Sequence, residues 1–175
     1  MGKNSTLVIM GLFLLLTARL SGGDEPSAAL VTDKIKAGYL YNFTKFITWP
    51  TSPKASFNIC LSGEEAFVAL LSPLEQRKVA DFPIKIITLK PSSSAEQCQI
   101  LIVDEAHALD SLTHLDAMLT VGDSTDFAKH GGMIGFVNKD SRIKLEINLP
   151  ALKRSGLKIS AKLLEVAEIV GEDSP

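Results

Sequence analysis

Hydrophobic positions along the chain change period several times, and each change marks an element. Between residues 28 and 48 the apolar residues Ile35, Tyr39, Phe43, Phe46 and Ile47 recur at helical spacing, with Lys34, Lys36 and Lys45 between them. The pattern predicts a helix ended by Trp49-Pro50, because the residue before a proline is pushed out of the α region. Phe57-Asn58-Ile59-Cys60-Leu61 reads as a short strand, 64–71 as a helix and 84–89 as a second strand, followed by a loop at Pro91-Ser92-Ser93-Ser94. Residues 100–103 are an unbroken apolar run between polar flanks, the signature of a buried strand, and 105–115 suit a helix.

Beyond this point, 118–121 predict another strand, closed by Gly122-Asp123. Ser124 has the chemistry of an N-cap for a short helix ending at Gly131-Gly132. Residues 133–137 are apolar throughout. After Asn138-Lys139-Asp140-Ser141, Ile143, Leu145 and Ile147 alternate with Lys144 and Glu146, which predicts a hairpin whose second strand is half exposed. Asn148 can cap a helix with Pro150 in its first turn and Gly156 at its end. A last helix would place Leu163, Val166, Ala167 and Val170 on one face. Strands separated by helices, with no internal repeat, imply a single-domain α/β sandwich: a mostly parallel central sheet flanked by helices, with an antiparallel hairpin near the C-terminus.

The amino terminus departs from this alternation. Lys3 precedes an apolar run from Leu7 to Leu16, and small residues follow at Ser21-Gly22-Gly23. These are the parts of a secretory signal peptide, so residues 1–23 are expected to be removed on export and 24–175 to form the mature domain. The alternative, an uncleaved membrane anchor, is disfavoured by length, since a span needs about 20 apolar residues. No cysteine lies near the cleavage zone, which argues against a bacterial lipid anchor. Met1 to Thr6 fits a myristoylation pattern, but the apolar run behind it directs the chain to export. Asn42-Phe43-Thr44 fits a glycosylation sequon and lies inside the predicted helix. The formal net charge of −2 offers no basic surface to nucleic acid.

Export changes how Cys60 and Cys98 are read. An even pair in an oxidising compartment suggests one disulfide, for which the chain-entropy model gives about 3–4 kcal/mol over a loop of this length. Two separate buried thiols are the alternative.

Asp104-Glu105-Ala106-His107, directly after an apolar strand, resembles the DEAH box of helicases. A nucleotide motor also needs a phosphate cradle, and the one Gly-Lys pair, Gly2-Lys3, sits in the signal segment. An acid at a strand-to-helix junction has a simpler use, capping free amides at the positive end of the helix dipole. His107 and His114 would share a helix face but lack further ligands, and His130 is remote in sequence, so no metal is expected. Neither a G-x-S-x-G elbow nor a C-x-x-C arrangement occurs. Without a nucleophile, metal set or cofactor motif, the chain reads as noncatalytic and without cofactors. Helical spacing makes Phe43 and Phe46 core residues rather than a stacking platform, whereas Trp49, past the helix end, is expected to be partly exposed.

Longer blocks are more specific. KAGYLYNFTKFITWP, Lys36 to Pro50, resembles the opening helix of the YfiR-like family of bacterial periplasmic proteins. The block from Gly131 to Val170 resembles that family's closing segment, LTVGD (119–123) the strand before it, and FNICLSG with EQCQILIV its central pattern, one cysteine in each. The resemblance implies an exported regulator that represses a membrane-bound diguanylate cyclase through the enzyme's periplasmic sensor domain, and so controls cyclic di-GMP and biofilm formation. It further implies a homodimer, an outer-membrane lipoprotein able to sequester the repressor, a response to redox or envelope stress, and a Cys60–Cys98 disulfide. Some relatives carry a second disulfide nearer the closing block. No cysteine stands there in this chain, so regulation through a second bridge is not carried over.

Two sets of residues are candidates for binding. The closing hairpin and last helices are candidate partner surfaces, with Lys153, Arg154 and Lys158 as candidate contacts. Ser62, Asp104, Asp123 and Ser124 fall at the carboxyl ends of predicted strands, where open α/β sheets bind ligands. That second set suits an alternative role, a periplasmic small-molecule sensor acting with another membrane protein such as a histidine kinase.

Overall fold

The computed structural model describes residues 27–61, 65–90, 93–103 and 116–171. The expected signal peptide, the 105–115 helix and Pro91-Ser92 of the expected loop lie outside the described residues. Helix α1 (Ala28–Phe46) is capped by Ser27, whose Oγ accepts a hydrogen bond from the Leu30 amide. It buries Ala37, Leu40, Phe43 and Thr44. The predicted helix over 28–48 therefore ends two residues early. Ile47 and Thr48 become a short strand, β1 (Ile47–Thr48), paired antiparallel with β9 (Lys158–Ile159). Both residues are β-branched, which suits an extended backbone. Pairing gives them hydrogen-bond partners that a frayed last turn ahead of Trp49-Pro50 could not.

The other elements follow in order: β2 (Phe57–Leu61), α2 (Glu65–Leu71) running into a 3₁₀ turn (Ser72–Gln76), β3 (Lys78–Val79), β4 (Phe82–Thr88), β5 (Ile100–Val103), β6 (Leu119–Gly122), β7 (Ile134–Lys139), β8 (Arg142–Asn148), α3 (Leu149–Arg154), α4 (Ala161–Leu164) and β10 (Ala167–Val170). One sheet of eight strands has the order β10-β8-β7-β6-β5-β2-β4-β3. Its centre, β4-β2-β5-β6-β7, is parallel throughout. Numbered along the chain these strands run 2-1-3-4-5, a doubly wound order whose direction reverses between β2 and β5. β8 returns antiparallel to β7 as the expected hairpin. The fold is thus mixed α/β with a mostly parallel central sheet, helices and an antiparallel hairpin.

Strand alternation splits the core in two. Ile59, Leu61, Ile100, Leu119, Val121, Ile134, Leu145 and Ile147 belong to the larger cluster, with Leu40 and Phe43 of α1 and Leu71 of α2. Cys60, Leu101, Val103, Met118 and Phe127 form the smaller one, joined by Ala95 and Cys98. Residues on the two sides of one pleat thus feed different cores.

Three expectations are corrected here. The last helix stops at Leu164, and Ala167–Val170 instead pairs parallel with Leu145–Asn148. Residues 163–170 carry a helical apolar face, but β8 offers an open edge, and Val166, Ile169 and Val170 suit a strand. Secondly, residues 124–131 form successive turns rather than a helix capped by Ser124. Asp126 has φ +56° and Gly131 φ +101°, both left-handed. These turns drop the Phe127 ring between Gly122 and Gly132, where an added Cβ would meet ring carbons at 2.5 and 2.2 Å. Thirdly, β8 is not half exposed over its second half: Glu146 is 3% accessible and Asn148 is buried, because β10 closes the outer edge. The Asn148 cap is present, its Oδ1 accepting from the Ala151 amide at 2.9 Å, and Gly156 follows the helix with φ +77°. Among the described residues, no helix is long and apolar enough to cross a membrane.

Candidate functional site

The two cysteines meet because β2 and β5 are neighbours. Cys60 is the fourth of the five residues of β2, and Cys98 lies two residues before β5, in the segment that returns from β4. Asn58 aligns that segment: its amide donates to Gln99 Oε1 at 2.7 Å and its Nδ2 to the Gln97 carbonyl at 2.8 Å, while its carbonyl accepts from the Gln99 amide at 2.9 Å. The result is a Cys60–Cys98 disulfide with Cα atoms 5.8 Å apart, buried at 0% and 3% accessibility. At that burial the bridge is a staple within the smaller core, shielded from thiol reagents while the domain stays folded. Trp49 reinforces the same corner, donating Nε1–H to the Gln99 carbonyl and packing edge-on against Phe57 at 4.8 Å. Its ring is half-buried and Phe43 fully so, so the aromatic residues pack rather than form a platform.

The strand-end candidates are only partly placed. Asp123 and Ser124 follow β6 at the carboxyl edge of the sheet. Asp123 Oδ2 accepts from Lys36 Nζ at 2.5 Å, and the same ammonium lies 3.5 Å from Asp33 Oδ1. With its side chain only 15% exposed, Lys36 ties α1 to the sheet end. Ser124 Oγ is buried and makes no hydrogen bond among the described residues. Ser62 and Asp104, which follow the two strands at the reversal of strand order, lie outside the described residues, as do Glu105, His107 and His114. His130 is exposed, with its ring Nδ1 3.0 Å from the Asp126 carbonyl oxygen.

Lys153, Arg154 and Lys158 are exposed at the opposite, amino-terminal edge of the parallel strands. Lys153 and Arg154 sit in the last turn of α3, where cations suit the helix dipole. Arg154 also lines a cleft of 150 Å³ with Asp116, Gly131, Met133, Ala151 and Ser155. A larger cleft of 530 Å³ opens on this edge beside the disulfide, lined by Thr51, Ser52, Pro53, Lys54, Ala55, Ser56, Asn58, Glu96, Gln97 and Gln99. The fold therefore separates Asp123 and Ser124 from the basic candidates across the length of the strands.

A third group escapes sequence reading because three separate segments build it. On the hairpin, Lys139 Nζ bonds Glu168 of β10 and lies 3.7 Å from Glu146 Oε1. Glu146 Oε2 is buried without a hydrogen-bond partner among the described residues. Nearby, Lys129 bonds Asp126 at 2.6 Å. The hydrogen bond from Lys139 holds the Glu168 carboxyl below its ordinary range and raises the Lys139 ammonium in turn. Lys129 and Asp126 shift each other in the same two directions for the same reason. The only sequence signal was Glu146 itself, an acid on the strand face expected to meet water.

A family model described as YfiR/HmsC-like matches residues 33–168, well over half of the chain. No curated protein matches the sequence.

Proposed function

The chain belongs to the YfiR/HmsC-like family, and from that premise we propose that it is a periplasmic regulatory binding protein without catalytic activity. It represses a membrane-bound diguanylate cyclase by binding the enzyme's periplasmic sensor domain, and so sets cyclic di-GMP and biofilm formation. The family match over residues 33–168 carries this reading. In support, the amino-terminal sequence has the parts of an export signal, with residues 1–23 as the signal peptide and 24–175 as the mature domain. A buried disulfide also suits an oxidising compartment. Repression would work by differential affinity, the regulator holding the sensor in the conformation it binds more tightly. The protein acts as a homodimer, and an outer-membrane lipoprotein can withdraw it from the cyclase. Deleting the gene and measuring cyclic di-GMP tests the reading: the level should rise and attachment with it. An unchanged level with no biofilm phenotype would count against the cyclase. Mass spectrometry of the exported protein checks the cleavage, with a mature chain starting near Asp24 expected.

The 530 Å³ polar cleft beside the disulfide favours a second reading, a small-molecule sensor working with another membrane protein such as a histidine kinase. Thermal shifts against a metabolite panel would support it, and a flat response across the panel would remove it.

A further inference from the structure

The outer edge of the hairpin is only half covered. β8 is seven residues long, but β10 pairs with Leu145–Asn148 alone, beginning at Ala167 opposite Leu145. The chain turns away at Glu165-Val166, so no strand lies beside Arg142–Lys144, and Ile143, whose N–H and C=O point away from β7 while those of Arg142 and Lys144 face it, has its backbone groups open. Among the described residues, no turn, loop or side-chain hydrogen bond reaches Ile143. A cleft of 620 Å³ lies at this notch, lined on its apolar side by Tyr39, Ile143, Leu145 and Val166. Val166 is 58% exposed, the highest value among the large apolar residues described.

The charges around the notch are unequal in their engagement. Lys139 is taken by Glu168. Arg142 and Lys144, exposed and on one face of β8, have no acidic partner among the described residues. Asp140 and Glu165 stand at the two ends of the gap, in the hairpin turn and in the turn before β10. Acids at both ends with cations between them set a register: an incoming strand is held when its own acids oppose Arg142 and Lys144, and repelled when shifted along.

We propose that this notch is a strand-addition site for an extended segment of a partner protein, with acidic and apolar residues alternating. Backbone hydrogen bonds to the N–H and C=O of Ile143 supply the pairing. The acids meet Arg142 and Lys144, and the apolar residues face Tyr39, Ile143 and Val166. The proposal rests on the reading of this chain as a partner-binding regulator and names the surface that does the binding.

A fluorescein-labelled peptide of alternating Glu and Val tests it by anisotropy with the mature protein. Saturable binding is expected, weakened at least tenfold by N-methylation of alternate peptide amides, which removes strand pairing and requires no change to the protein. A double variant, Arg142→Glu with Lys144→Glu, should weaken it tenfold or more while leaving urea unfolding unchanged. No saturable binding, or binding that survives both N-methylation and charge reversal, overturns the proposal. A dimer in sedimentation equilibrium that dissociates in the double variant would assign the notch to a second copy and overturn it as well. Peptide binding with unaltered cyclic di-GMP after gene deletion would sink the cyclase reading and keep the notch.

Discussion

The disulfide corner and the outer hairpin edge are held by different physics. At the corner, a covalent bridge and a set of amide hydrogen bonds from Asn58 and Gln99 join β2 to β5 with little solvent access. At the edge, four residues of β10 rest on β8, with Ile169 36% exposed and an exposed Lys139–Glu168 pair across the strands. Exposed ion pairs are screened and contribute little, whereas closing a long loop restricts the unfolded chain wherever the bridge lies. Local stability therefore falls from the centre of the sheet to β10, and the region with the least to lose is where the open notch lies.

Removing the bridge should break that contrast most. Cys98→Ser is expected to lower unfolding free energy by about 3–4 kcal/mol in urea titrations, with reductant imposing a similar loss on the wild type. A loss near zero would mean that packing alone holds the corner. Next comes Asn148→Ala, expected to cost about 2 kcal/mol. It removes the cap on α3 and leaves the buried Ala128 carbonyl without the Nδ2 donor 2.7 Å away. Lys139→Ala should act more locally. Amide exchange in Ala167–Val170 should quicken while Ile59–Leu61 stays protected, and equal changes in both would deny the edge its independence.

Acid should have the smallest effect. Glu168 has its carboxyl held below the ordinary 4.5, so its contribution is full above that value. It is lost as pH falls through the lowered folded value. The Lys139 ammonium, raised above 10.5, makes the opposite case, its contribution failing only as pH rises past the raised value. Protection factors in β10 measured by NMR, with the intrinsic pH dependence of amide exchange divided out, should therefore be flat between these limits and fall outside them. A step at neutral pH would contradict the assignment.

Elements that depend on near neighbours in the chain were legible. Ile100–Val103 is the strand its apolar run predicts, Asn148 caps the helix that Pro150 starts, and Asn138 to Arg142 turns the hairpin. The errors arose where a distant segment outweighed local periodicity. Ile47-Thr48 left the helix because β9 lies beside it, and Ala167–Val170 became a strand because β8 had an open edge. Of the candidate contacts, Asp123 was legible as a strand-end acid, but its partner Lys36 stands 87 residues away and no spacing rule connects them.

The sequence by itself determined the alternation of helices and strands, the caps, the parallel character of the sheet and the pairing partners available to sulfur. These follow from residue chemistry and from periods of two and 3.6, which act over a few positions. Only the tertiary structure decided the 2-1-3-4-5 order, the burial of Glu146 against the Lys139 side chain, the seat of Phe127 between two glycines, and the three residues of β8 that β10 leaves uncovered. Each of these depends on which strand or turn arrives next door, and that is settled by long-range burial and backbone pairing rather than by the residues on either side.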